Sequence, residues 1–415
     1  MSRRRRWRPV RGTGSRVDDP LERWALGALD LPGRAAYALA RGFGLARPRH
    51  LDPASVREVL VLRLDRMGDV VMSLPALADL RAALPGARIR LAVGGWSEEV
   101  ARSAPVDEVL VWNAPWVGRP SEGNETLAAL AARARALRRE RLDLAIDLQG
   151  DVRATVLMRL SGARLRVGYA NTGGGWLLTQ VVALDETVSW VEQNRRAVAA
   201  AFGPPEQRRT VDPLDDEDRG FALRLIANLA LDGRRPLVGI HPSGGRVVKQ
   251  WGVDRWGAVA GRLQRELGAT VLVTGSAEDR GLAARLAQGL AHRPIDLTGR
   301  LTVRETLAVI GALDLFLSPD TGPMHLACAA GTPSVSVFGP SDPVRYFSGG
   351  EGVPGSRHVV VRHELWCSPC NLIRKPPREC AGAEGPECLR LVGVDEVFHQ
   401  AARLLRDVGG YGRPS

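Results

Sequence analysis

From Val56 onward the chain repeats one unit, an apolar run followed by a turn and an amphipathic stretch, and this repetition restricts the fold more than any other feature. Val56–Leu64 (VREVLVLRL) predicts a buried strand, Val70–Leu84 a helix, Arg88–Val93 a strand and Val109–Trp112 another. Asn124–Arg141 predicts a helix with Leu127, Leu130, Ala134 and Leu137 on one face, and Leu142–Leu148 a strand. The alternation pauses around Gly203-Pro204-Pro205 and the acidic run Asp212–Asp218, then resumes with strands at Leu237–His241, Thr270–Thr274, Leu313–Ser318 and Ser334–Phe338. Helices are expected at Asp254–Leu267, Asp279–Leu290, Val303–Gly311 and Met324–Ala330. Strands that alternate with helices form parallel sheets covered on both faces. The expected fold is α/β, two Rossmann-like doubly wound domains facing a crevice, with ligands at the carboxyl ends of the strands. The boundaries expected are a segment 1–50, an N-terminal domain 51–212 and a C-terminal domain 213–405.

Charge separates the first segment from the rest. The 415 residues carry a formal +11, yet residues 1–50 hold 12 arginines against four acids, so +8 sits there and the other 365 residues share +3. The folded part is therefore a poor candidate for gripping nucleic acid, and no nucleic-acid partner is expected. Leu21, Trp24, Ala25, Ala28 and Leu29 follow at helical spacing until Pro32-Gly33. A basic arm before an amphipathic helix suits an anionic membrane surface, and equally a helix packed on the protein body. No run of 18 apolar residues exists and no apolar region follows the charged start, which leaves cytoplasmic residence as the expectation.

Three loops at strand ends carry the chemistry. Arg63-Leu-Asp-Arg-Met-Gly-Asp69 leads from a strand into a helix; a helix start keeps the Asp69 carboxylate ionised and able to take a proton, and Gly68 admits a close neighbour. A plain N-terminal cap fits Asp69 as well. His241-Pro-Ser243-Gly244-Gly245 offers backbone amides to an anion, and Lys249 adds a point charge. Only Lys249 and Lys375 are lysines among 57 basic residues, so a lysine at that place is notable, although a flexible surface lysine is the ordinary case. In Ser318-Pro-Asp320-Thr321-Gly322-Pro323-Met324-His325 the strand ends, Asp320 or Thr321 caps a helix, and Gly322 leaves its first amides open for a diphosphate. Asp320 as a simple cap and His325 as a core histidine are the bland alternatives. No G-x-G-x-x-G and no P-loop occurs, which removes the main support for a dehydrogenase or an NTPase.

These stretches, with VTGSAEDR, LDLAIDLQGDVRATVLMRLSGARLRVGY, LSPDTGPMHLACAAGTPSVSVFGPSDPVR and a late C-S-P-C, resemble glycosyltransferase family 9, the ADP-heptose:lipopolysaccharide heptosyltransferases and their relatives, from about Val56 to Leu391. The resemblance implies a GT-B enzyme that inverts the anomeric carbon without a metal or other cofactor. Its acceptor lies on the N-terminal domain and its nucleotide sugar, by expectation ADP-heptose, on the C-terminal one. It implies Asp69 as general base, Lys249 on donor phosphate, Glu278 on the nucleoside, Asp320, Thr321, Gly322, Met324 and His325 in the donor loop, and Ser243 and Gly244 in its companion turn. Arg66 and Arg153 are candidates for anionic acceptor groups, or solvated surface arginines. The expected partners are a nucleotide sugar, a lipopolysaccharide-core or related glycolipid, and the inner-membrane surface reached through the basic segment.

Rival readings are a glycosyltransferase with another sugar and glycan acceptor, an epimerase of the same two-domain design, and a non-catalytic nucleotide-sugar-binding protein at the membrane. Cys367, Cys370, Cys380 and Cys388 have the composition of a structural zinc loop but lack the paired C-x₂-C…C-x₂-C spacing.

Overall fold

A computed structural model describes residues 52–117, 123–231, 233–349, 356–382 and 385–409. The basic arm and the helix read at its end lie outside the described residues.

The first unit opens with strand β1 (Glu58–Leu62), helices α1 (Met67–Val71) and α2 (Leu74–Ala83), strand β2 (Arg88–Val93), helix α3 (Glu98–Ala101) and strand β3 (Glu108–Val111). Helix α4 (Leu127–Ala136), strand β4 (Leu144–Asp147), helix α5 (Val152–Leu160), strands β5 (Leu165–Gly168) and β6 (Gln180–Val181) and helix α6 (Trp190–Phe202) complete it. Helix α7 (Asp216–Asn228) leads into the second unit: β7 (Leu237–Ile240), α8 (Val253–Leu267), β8 (Thr270–Val273), α9 (Arg280–Ala287), β9 (Ile295–Asp296) and α10 (Val303–Gly311). It ends with β10 (Leu315–Pro319), α11 (Gly322–Ala330), β11 (Ser334–Phe338), α12 (Pro343–Tyr346), β12 (His358–Arg362), α13 (Glu387–Arg390) and α14 (Val394–Gly409).

Each unit is a parallel six-stranded sheet, in the orders β3-β2-β1-β4-β5-β6 and β12-β11-β10-β7-β8-β9. The expected α/β class and doubly wound design are therefore present. Both sheets reverse their winding beside the first strand, between β1 and β4 and between β7 and β10, and loops diverge at such switch points to leave room for a ligand.

Several elements differ from the sequence reading. The single helix expected over 70–84 is two, because Pro75 suits the first turn of a new helix, and the first begins three residues earlier at Met67. Arg66 is consequently the N-cap and Asp69 sits inside the first turn. Helix α11 starts at Gly322, with Thr321 as N-cap. Strands β5, β6, β9 and β12 were not anticipated.

One apolar core joins the two units. Val70, Val71, Leu74 and Leu77 of the first pack in the same cluster as Leu307, Ile310, Phe316, Leu326 and Ala327 of the second. Helix α1 packs on α11, and α3 on α10. Polar contacts reinforce this seam: the Arg304 amide donates to Glu99 Oε2 at 2.7 Å, and Arg345 Nη1 donates to the carbonyl of Val188 at 2.7 Å and to that of Asp185. The two carboxyl edges are thereby held facing each other.

Candidate active site

On the second sheet the loops after three adjacent strands, β10, β7 and β8, contribute the donor-side candidates. Lys249 Nζ lies 2.6 Å from Asp320 Oδ2, an ion pair that spans the β7/β10 switch point, with both side chains largely buried. The pair lacks the alignment of a hydrogen bond, so Oδ2 fixes where the ammonium sits without saturating its donors. Ser243 Oγ is 3.1 Å from His241 Nε2, and Gln250 Nε2 donates to the Gly244 carbonyl at 3.2 Å, which folds this turn back against the lysine. After β8, Asp279 accepts hydrogen bonds from the amide and hydroxyl of Ser276 at 2.8 and 2.9 Å, which leaves the Glu278 side chain exposed at the rim.

Helix α11 presents its first turn between these loops. Thr321 makes no side-chain cap and Pro323 has no amide to spend, so an incoming anion meets the start of the helix without competition from a capping hydroxyl. Met324 points the other way: fully buried, it packs with Phe338 and Phe347 beneath the loop. Its part is to seat the helix.

The first sheet brings its own two switch-point loops, after β1 and β4, to the opposite wall. Asp69 stands in the first turn of α1, where the helix dipole favours the carboxylate. Arg66 stacks on Trp96, its guanidinium carbon 5.2 Å from the ring centre, and donates to the Val117 carbonyl at 2.5 Å. Arg153 grips both Asp151 oxygens, at 2.8 and 2.7 Å, and covers Trp116 at 4.8 Å. Both candidate acceptor arginines are thus oriented by aromatic faces instead of waving in solvent.

The two walls touch at glycines. A Cβ built on Gly68 would lie 2.5 Å from His325 Cδ2, and one on Gly322 would lie 2.3 Å from Met67 Cε. Hydrogen at Gly68 lets the turn that carries Asp69 meet the helix that carries His325, while at Gly322 the neighbour is the flexible end of Met67. Buried there, His325 is pulled down to about 4, burial outweighing the attraction of Asp320; Lys249 pushes the same way as burial. It is a neutral ring at neutral pH, 3.0 Å from Ser348 Oγ through Nδ1, and the donor-side charge is left to Lys249.

Behind Asp69 lies a cluster that the sequence reading passed over. Arg63 is fully buried, with Asp65, Asp147, Gln149 and Asp151 around it. Burial raises Asp147 to about 7, and the negative charges of Asp151 and Asp65 add to this against hydrogen bonds from the Gln149 and Gly150 amides. The signal available was an arginine at the end of an otherwise apolar strand run. The four late cysteines are free thiols; burial, with the charge of neighbouring thiols, raises Cys367, Cys380 and Cys388, the last to about 12. Among the described residues, no three His, Cys, Asp or Glu side chains are arranged to hold a metal ion.

A family profile described as Glycosyltransferase family 9 (heptosyltransferase) matches residues 130–379, more than half of the chain. The chain belongs to glycosyltransferase family 9. Among relatives of this family, the Lipopolysaccharide heptosyltransferase 1 of Escherichia coli (strain K12) is 27% identical over 300 residues, covering 69% of this chain and 88% of its own. A family 9 glycosyltransferase from Veillonella parvula superposes with a TM-score of 0.69 at 22% identity, over 85% of this chain and 97% of that one. E. coli heptosyltransferase WaaC, solved with ADP, gives a TM-score of 0.61 at 20% identity, over 85% and 99%. These likenesses agree with the two facing sheets of the family 9 chain described here, which is a glycosyltransferase.

The depressed His325 makes a stability prediction. The ring's ordinary value is near 6.5 and its folded value about 4, so the unfolded chain takes up the proton first, and acidification from about pH 6.5 to about pH 4 costs stability through this ring. Asp147 acts with the opposite sign but is present in both proteins of the comparison. Thermal melts of wild type and His325→Asn across that range should show a shallower acid-side loss for the variant; parallel curves would contradict the buried, neutral ring.

Proposed function

We propose that this protein transfers heptose from ADP-heptose to a lipopolysaccharide-core or related glycolipid acceptor, with inversion at the anomeric carbon and without a metal ion. The observation that carries this reading is the contact of Gly68 with His325, which sets the first-turn carboxylate of Asp69 against the helix start flanked by Lys249. The names of the E. coli relative and of the heptosyltransferase solved with ADP support the choice of sugar and nucleotide.

In this mechanism Asp69 removes the proton from the acceptor hydroxyl as its oxygen attacks the anomeric carbon from the face opposite the diphosphate. The bond from that carbon to the diphosphate oxygen breaks, and ADP departs with the electron pair. Its charge is met by Lys249 and by the Gly322 amide at the start of α11, which need no reorganisation at that moment. Ser243 and Gly244 complete the phosphate turn, Glu278 receives the nucleoside at the rim, and Arg66 and Arg153 receive anionic groups of the acceptor.

Replacing Asp69 with Asn should lower kcat by about 10²–10⁴-fold, the usual worth of a general base, while ADP binding by calorimetry is unchanged. Lys249→Ala should instead weaken ADP binding, and a chelator should leave wild-type transfer intact. Retained transfer by Asp69→Asn would remove the base assignment, and ADP-heptose binding without transfer to any lipid acceptor would favour a binding protein.

We further propose that residues 1–50 hold the enzyme at the cytoplasmic face of the membrane where such acceptors reside. No described helix is long and apolar enough to cross a membrane, and the +8 of this segment suits an anionic surface. Deleting it should weaken co-sedimentation with anionic liposomes and spare transfer to a soluble acceptor analogue; undiminished liposome binding would refute the assignment.

A further inference from the structure

Arg63 is the one fully buried arginine of the described residues and it grips Asp69 twice, at the backbone and at the side chain. Its Nε donates to the Asp69 carbonyl at 3.1 Å, and its Nη2 lies 3.5 Å from Asp69 Oδ1. Its Nη1 donates to the Leu148 carbonyl and stands 3.4 Å from Asp65 Oδ2. The Trp190 ring closes the remaining side, 5.8 Å from the guanidinium carbon, with Tyr169 edge-on behind it and Arg345 of the other unit covering the same ring at 4.8 Å.

A guanidinium buried this completely costs solvation that an ordinary structural ion pair recovers by engaging its carboxylates fully. Here Asp65 is held further by Gln149 Nε2 at 3.1 Å, whereas the Asp69 side chain keeps 22% of its exposure, and Nη2 makes no hydrogen bond to any described residue. The arginine thus holds the turn rigid and places a permanent positive charge behind a carboxylate whose front faces the crevice. Lysine can supply that charge, but from one nitrogen, whereas the two backbone bonds here come from two nitrogens held apart by the planar guanidinium, Nε and Nη1.

We propose that Arg63 is a positioning residue for the transfer reaction: it aims the Asp69 carboxylate at the acceptor hydroxyl and keeps it ionised toward the acid side of the working range. The inference rests on Asp69 being the base. Among the described residues, the charged and titratable groups around this pair include Asp65 and Arg66 from the same turn, Asp147 and Asp151 from the β4–α5 turn, Tyr169 from the end of β5, Arg345 across Trp190, and the neutral His325 above Gly68 with Asp320 and Lys249 beyond it. The carboxylates oppose ionisation of Asp69, and the Arg63 guanidinium, 3.5 Å from its Oδ1, favours it.

The test is the pH profile of kcat/KM for wild type, Arg63→Gln and Arg63→Lys, with ADP binding by calorimetry to establish that each variant is folded. Arg63→Gln should lose about 10-fold or more at pH 7 and move its acid limb to higher pH. Arg63→Lys should return the limb to the wild-type position with kcat still below wild type, because charge is restored and the double grip is not. A wild-type limb in Arg63→Gln would overturn the proposal, as would equal losses in both variants with unmoved limbs, the mark of a merely structural residue. If Arg63→Gln does not bind ADP, the lysine variant decides: a displaced limb or a wild-type kcat would overturn the proposal. Failure of the underlying reading is separate, because it appears as retained transfer by Asp69→Asn.

Discussion

The approach of two helix starts, permitted by two glycines, is the contact on which the rest of this structure depends. Helix α1 leaves the first sheet at its switch point and α11 leaves the second at its own, and they meet with Gly68 under the His325 ring and Gly322 under Met67. A side chain at Gly68 would have to displace a buried ring already held by Ser348, which is costly, whereas Met67 can swing away from Gly322 at lower cost. The shared apolar core then locks the orientation, since Leu326 and Ala327 of α11 pack with Val70 and Val71 of α1. Fold and site are here the same contact: moving the seam would separate the carboxylate from the cation.

Electrostatics divides the labour between the two walls. The first wall is a nest of carboxylates, Asp65, Asp147 and Asp151, around one buried arginine, and burial, with the charges of Asp151 and Asp65, pushes Asp147 up to about 7. The second wall has its positive charge on Lys249 because burial neutralises His325, and Asp320 holds that ammonium at the switch point. An acidic wall suited to taking a proton thus faces a helix start and a cation suited to a leaving diphosphate.

Much of the fold was legible because strand and helix periods differ so plainly. The runs Arg88–Val93, Val303–Gly311 and Ser334–Phe338 coincide with their elements. Strand β5, Leu165–Gly168, escaped notice because an arginine and a glycine break its apolar run, and α14 because its pattern begins after the last motif. Pro75 could have been read as the start of a new helix. At the site, loops at strand ends could be found locally, each as a motif of a few residues. The role of Arg63 could not, since Leu148 and Gln149, which complete its surroundings, lie more than 80 residues away and reach it only through the β1–β4 pairing. Met324 shows the converse: it belongs to the motif by position, and its side chain belongs to the core.

The most direct test of the account is a crystal structure of the chain with ADP-heptose bound. The diphosphate should lie on Lys249 and the first turn of α11, with the anomeric carbon turned across the crevice toward Asp69. A sugar directed away from Asp69, or a diphosphate seated elsewhere on the second sheet, would contradict it.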